Sequence, residues 1–111
     1  MKNLEYKGYI GSIEYSQKYK LMYGKVLGIQ GLISYEAETG VDLEKDFQDA
    51  IDTYLIDCET NGMKPEKPFK GSFNVRIPPS LHQEAALLAK ETKVSLNNFV
   101  AEAIRLRVQK S

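Results

Sequence analysis

Ser72, Asn74 and Arg76 stand at every second position of one short stretch, and they are the side chains of this sequence best suited to recognition chemistry. An arginine can donate two parallel hydrogen bonds to a guanine edge, an asparagine can pair similarly with an adenine edge, and a serine bonds to either. The alternate positions, Phe73, Val75 and Ile77, are apolar. Such alternation predicts a half-buried strand over 72–77 with one polar face on offer. Pro78 and Pro79 end it, because proline donates no hydrogen bond to a ladder. Two further groups could meet a phosphate. Lys70 supplies a charge just before the strand, and Ser95-Leu96-Asn97 opens a predicted helix whose first backbone amides are free.

Enzymatic chemistry is poorly served by comparison. His82 is the single histidine and falls in the first turn of a predicted helix, where a surface or capping role fits better than proton transfer. Cys58 is the single cysteine, which excludes an intramolecular disulfide framework and a multi-cysteine metal site. It continues a helical apolar stripe and reads as core. Glu14, Glu36, Glu38, Asp46 and Asp49 are the carboxylates nearest to strand ends or on the helix, and they form no convincing metal-binding cluster. No catalytic residue, metal site or cofactor is expected, and the chain reads as a binding protein and not an enzyme.

The elements that must position these residues divide the 111-residue chain in two. Composition, 42% hydrophobic and 27% charged, is that of a globular protein. No apolar run has the length of a membrane span, and "MKNLEYKGYIG" has no apolar core of signal-peptide length, so a cytoplasmic location is expected. The zero net charge hides an asymmetry. Residues 1–64 hold seven Lys and Arg against eleven Asp and Glu, a net of −4, while residues 65–111 hold eight against four, a net of +4. An acidic half suits a basic partner, and a basic half suits a polyanion. The break falls in a stretch with Pro65 and Pro68, which reads as a semi-stiff linker over 63–71 between domains at 1–62 and 72–111.

Within 1–62 the pattern predicts β-β-β-α. "YKGYIGSIEYS" and "LMYGKVLGI" read as strands joined across the polar "QKYK", and "LISYEAE" as a third. Leu43, Phe47, Ala50, Ile51, Tyr54, Leu55 and Cys58 then form one stripe of period 3.6, ended by Asn61-Gly62. The tyrosines at 6, 9, 15, 19, 23 and 35 divide between core and an aromatic partner surface. Within 72–111 the strand precedes two helices. Leu81, Ala85 and Leu88 are in register on the first, and Leu96, Phe99, Val100, Ala103, Ile104 and Val108 on the second. About 40 residues is too few for a good core, and a lone strand has no partner. Both deficits vanish in a homodimer whose strands pair, with Phe73, Val75, Ile77, Leu88, Phe99, Val100 and Ile104 as its core. Such a two-stranded ribbon fits the major groove of B-DNA.

"SFNVRIPPSLHQEAALLAKETKVSLNNFVAEAI" resembles a ribbon-helix-helix DNA-binding domain of the Arc/MetJ type. The resemblance implies base contacts from Ser72, Asn74 and Arg76 and phosphate contacts from Ser95, Leu96 and Asn97. Many relatives have glycine before the second helix, where this chain has Lys93 and Val94. The segments "YKGYIGSIEYS", "YGKVLGI", "LISYEAE", "LEKDFQDAIDTYL" and "PEKPFKGSFNVRIPP" together resemble the HicB family of antitoxins over nearly the whole chain. That resemblance implies an α+β protein whose N-terminal domain is similar to a truncated ribonuclease H fold and neutralises a HicA-type ribonuclease toxin. It further implies that the C-terminal domain binds the operon's own operator and represses it. Tetramers through the N-terminal sheet are compatible with this. The rival reading is a stand-alone ribbon-helix-helix regulator whose N-terminal domain binds a ligand or only oligomerises.

Overall fold

Lys7 and Gly8 both take positive φ, 50° and 84°, and they reverse the chain between β1 (Asn3–Tyr6) and β2 (Tyr9–Ser12). A two-residue turn with both φ positive matches the right-handed twist of the strands it joins, and Tyr6 accordingly faces Tyr9 across the hairpin. The segment 6–16 is therefore not one strand, as its alternation suggests. It contains this turn, then β2, then β3 (Glu14–Ser16). The "QKYK" turn leads into β4 (Leu21–Lys25), and β5 (Ser34–Ala37) follows. The computed structural model describes residues 3–111, and within them the architecture is mixed α+β: three helices and two small antiparallel sheets, ordered β1-β2 and β3-β4-β5. The expected β-β-β-α is thus five short strands and a helix.

Ser12 joins the two sheets. A bridge pairs Gly11 with Val26, and the Leu27 amide donates to the Ile10 carbonyl at 2.8 Å. Between these and the β3–β4 ladder, the Ser12 hydroxyl does the work of a backbone group. It accepts from the Lys25 amide at 3.0 Å and lies 3.4 Å from the Lys25 carbonyl. The Tyr35 hydroxyl donates to the Ser12 carbonyl at 2.8 Å, and burial pushes its pKa up to about 12. A Cβ at Gly24 would fall onto that same carbonyl, so only glycine lets β4 pass there.

Helix α1 (Gly40–Thr60) lies across this sheet. Thr39 caps it by accepting the Asp42 amide at 3.1 Å, and Asp42 sits in the first turn where the helix dipole favours an anion. At the other end Gly62 (φ 66°) donates to Glu59 and Met63 to Cys58, the paired bonds of a Schellman stop. The predicted stripe faces inward: Leu43, Phe47, Ile51 and Cys58 are buried, and Leu43, Phe47 and Ile51 form one core with Leu4, Tyr9, Val26 and Tyr35. Each large apolar side chain so buried is worth about 1.5–3 kcal/mol. Asp52, on the same helix, receives the Tyr6 hydroxyl and the Lys7 ammonium, the latter at 2.8 Å, and so ties the first hairpin to α1.

The stretch that reads as linker is fastened to this unit. Its Glu66 uses all its polar groups. The amide donates to the Tyr54 hydroxyl at 2.8 Å, the carbonyl accepts from the Tyr9 hydroxyl at 2.9 Å, and the carboxylate accepts the Gln30 and Gly31 amides at 2.7 and 2.9 Å. The Phe69 amide adds a bond to the Gly28 carbonyl at 3.0 Å. The chain divides into two units, the first ending at Ser72 and the second running from Phe73 to Ser111. In the second, α2 (Pro79–Glu91) packs against α3 (Leu96–Gln109).

The two backbone amides, and after them the nearby charge of Lys70, hold the Glu66 carboxyl below its ordinary 4.5. At neutral pH the folded and unfolded chains are both ionised there and the stabilisation is complete. As pH falls, the unfolded chain takes up a proton that the folded chain still refuses, so the stabilisation is lost through and below pH 4.5. Glu66→Gln should therefore melt below the parent at neutral pH, with the gap narrowing in acid. Circular-dichroism melts across a pH series check this, and two parallel curves would contradict it. Asp52, also held low, chiefly by Lys7, leaves the variant some acid sensitivity of its own.

Candidate nucleic-acid interface

The local sequence of the second unit builds two well-formed helices and little core. Pro79 begins α2, where a missing N–H costs nothing, and the Leu81 and His82 amides donate to the Pro78 carbonyl. At its end the Val94 amide bonds the Ala89 carbonyl at 3.0 Å and the Lys93 amide the Lys90 carbonyl at 3.1 Å. This is a second Schellman stop, and Lys93 occupies its left-handed position with φ 59°. The turn thus takes the shape that glycine favours, with lysine in it. Ser95 then caps α3, its hydroxyl accepting the Asn98 amide at 3.0 Å.

Among this unit's hydrophobic side chains only Ala89 is buried. Phe73, Val75, Ile77, Leu88, Val100 and Ile104 are between 40% and 73% exposed, and Phe99 is partly covered. The unit therefore carries an apolar face that the single chain leaves in water. Hydrophobic periodicity does not single out Ala89, whose small side chain is the one that α2 and α3 close over. The signal for it is weak: a lone alanine one turn after Ala85.

Residues 72–77 form no strand, and no backbone-to-backbone hydrogen bond involves residues 70–77 among the described residues. A strand exists only by virtue of a partner, and the described residues of the single chain offer none. Ser72, Asn74 and Arg76 are all exposed in this unladdered segment. Leu96 and Asn97 lie in the first turn of α3 beside the capping Ser95, and both are exposed. Lys70 belongs to the first unit, within electrostatic reach of Glu66. From Phe73 onward the chain has six Lys and Arg against three Asp and Glu, so the second unit is net positive. Among the described residues no three His, Cys, Asp or Glu side chains gather where they could hold a metal ion.

The lysine in the left-handed turn supplies a test of the local geometry. A residue with a Cβ costs about 1–2 kcal/mol there, and glycine relieves this at some cost in unfolded-chain entropy. Lys93→Gly should raise unfolding stability by about 0.5–1 kcal/mol. Denaturant titration of the full chain measures it, and a loss of stability would show that the turn is built otherwise.

No curated protein and no solved structure matches the chain. One family model does, that of the HicB family, over residues 54–104. The matched stretch runs from the last turns of α1 through the Glu66 segment, the unladdered 72–77 and α2, and into most of α3. Over that stretch, somewhat under half of the chain, the sequence is similar to the HicB family.

Proposed function

We propose that this protein is the antitoxin of a toxin–antitoxin pair and the repressor of its own operon. The acidic first unit, in a truncated ribonuclease H-like arrangement, neutralises a small basic ribonuclease toxin of the HicA type. The second unit is a ribbon-helix-helix domain, and two copies pair residues 72–77 as an antiparallel ribbon in the major groove of operator DNA. Arg76, Asn74 and Ser72 read base edges, while Lys70 and the start of α3 at Ser95, Leu96 and Asn97 hold phosphates. The protein works in the cytoplasm by binding alone, without a catalytic step or a cofactor.

One observation carries this reading. A segment alternating polar and apolar side chains has no backbone hydrogen-bonding partner among the described residues, and it adjoins a helix pair with an uncovered apolar face. Strand pairing with a second copy satisfies the backbone, covers Phe73, Val75 and Ile77, and turns the polar face outward, all at once. The HicB match and the opposite charges of the two halves support the division of labour.

Two measurements test it. Equilibrium sedimentation should show no folded monomer at low micromolar concentration, and a folded monomer there would overturn the pairing. Arg76→Ala should cost about 1–3 kcal/mol of operator affinity per half-site and relax base preference. Lys70→Ala should instead weaken all DNA alike and lower the salt slope. Affinities for operator and random DNA across a salt series, with melts as control, distinguish them. An Arg76→Ala dimer of normal stability and intact specificity would remove the strand from the role of reading element.

A further inference from the structure

The register of the first unit places three side chains in a row. Glu14 stands opposite Tyr23, and Tyr23 opposite Glu36, across β3, β4 and β5. Directly opposed residues of antiparallel strands share a face, and adjacent strands lie about 4.8 Å apart. One exposed phenol ring therefore has a carboxylate on either side. Tyr23 and Glu36 also line a cleft of about 570 Å³, together with Tyr19, Ser34 and Asp46. Asp46 brings a third carboxylate, one oxygen of which accepts the Glu36 amide at 3.0 Å.

No salt bridge reaches this row among the described residues, although Lys25 follows Tyr23 on the same face of β4. The one salt bridge among the described residues joins Lys7 to Asp52, so Glu14, Glu36 and Asp46 are unpaired. Like charges so placed repel until a cation joins them. A guanidinium meets the geometry better than an ammonium does, because it is planar, stacks on an aromatic face and donates sideways to carboxylates on both flanks. The neighbouring turn already makes the simpler contact: the Lys18 ammonium stands 5.2 Å from the centre of the exposed Tyr19 ring.

We propose that the Glu14–Tyr23–Glu36 row anchors an arginine side chain of the basic protein partner, stacked on Tyr23 between the two carboxylates. This rests on the reading of the first unit as the toxin-binding unit, and it names the surface and the chemistry of the contact. Two arms keep the two ideas apart. In the first, the full chain is titrated with acetyl-arginine-amide and, separately, with its uncharged citrulline counterpart, followed by amide and tyrosine-ring NMR shifts. Shifts centred on Glu14, Tyr23 and Glu36 with the arginine compound alone support the site. Shifts that are absent, spread evenly or equal for both compounds overturn it.

In the second arm, the basic protein encoded beside this chain is bound to the parent and to Glu14→Gln/Glu36→Gln, which keeps side-chain shape. Tyr23→Leu removes the ring, and Glu44→Gln on α1 serves as the control. Loss of about tenfold or more in affinity for the first two variants, with the control unchanged and all melting normally, supports the anchor. Parent-like binding by both row variants overturns the anchor and leaves the toxin-binding role standing. No binding by the parent overturns that role, and with it the assignment of the arginine to a toxin.

Discussion

Glu66 is the residue on which the path of the chain turns. Its amide, carbonyl and carboxylate bond four groups from three places: the hydroxyls of Tyr54 on α1 and Tyr9 on β2, and two amides of the loop after β4. The rings of Tyr9 and Tyr54 meet edge to face, 6.3 Å apart, so the two hydroxyls are presented together. One half-buried residue thus satisfies two hydroxyls and two loop amides together. The stretch after α1 is consequently part of the first unit, whatever its proline and lysine content suggests. Between Phe69 and Pro78, no backbone-to-backbone hydrogen bond is made among the described residues.

The second unit obeys the opposite condition. Its helices are correctly capped and stopped, so local structure is well specified, yet an isolated unit of 39 residues that buries a single alanine cannot offset the entropy of its own folding. On the proposed pairing its stability comes from association, and folding and assembly of this unit are one process. In the first unit, by contrast, Leu43, Phe47 and Ile51 are wholly enclosed, and the sheet and α1 sustain each other.

Much of this was legible in the sequence. The stripe from Leu43 to Cys58 gave α1, Asn61-Gly62 gave its stop, and Ser95 gave the cap of α3, because each depends on neighbours within a few residues. The turn at Lys7-Gly8 was hidden, since Tyr6 and Tyr9 continue an alternating pattern on either side of it; Gly8 after the polar Lys7 was the available sign. The role of Glu66 could not be read at all, for its partners lie 12 to 57 residues away. Nor does alternation at 72–77 make a strand. It specifies faces, and the ladder has to come from elsewhere. The same holds for the row Glu14–Tyr23–Glu36, which exists only once register is fixed.

The Asp46 carboxylate on the Glu36 amide has a consequence for how the protein behaves in a crowd. The outermost strand of an open sheet invites another chain to lie alongside it, and fibrous aggregation starts at such margins. On β5 one of the inviting donors is already engaged, by a charged group that a newcomer would have to evict and leave in an unfavourable setting. A further strand adding at β5 would have to break this bond first. If the second unit self-associates as proposed, the first unit need not join in as a seed through that edge.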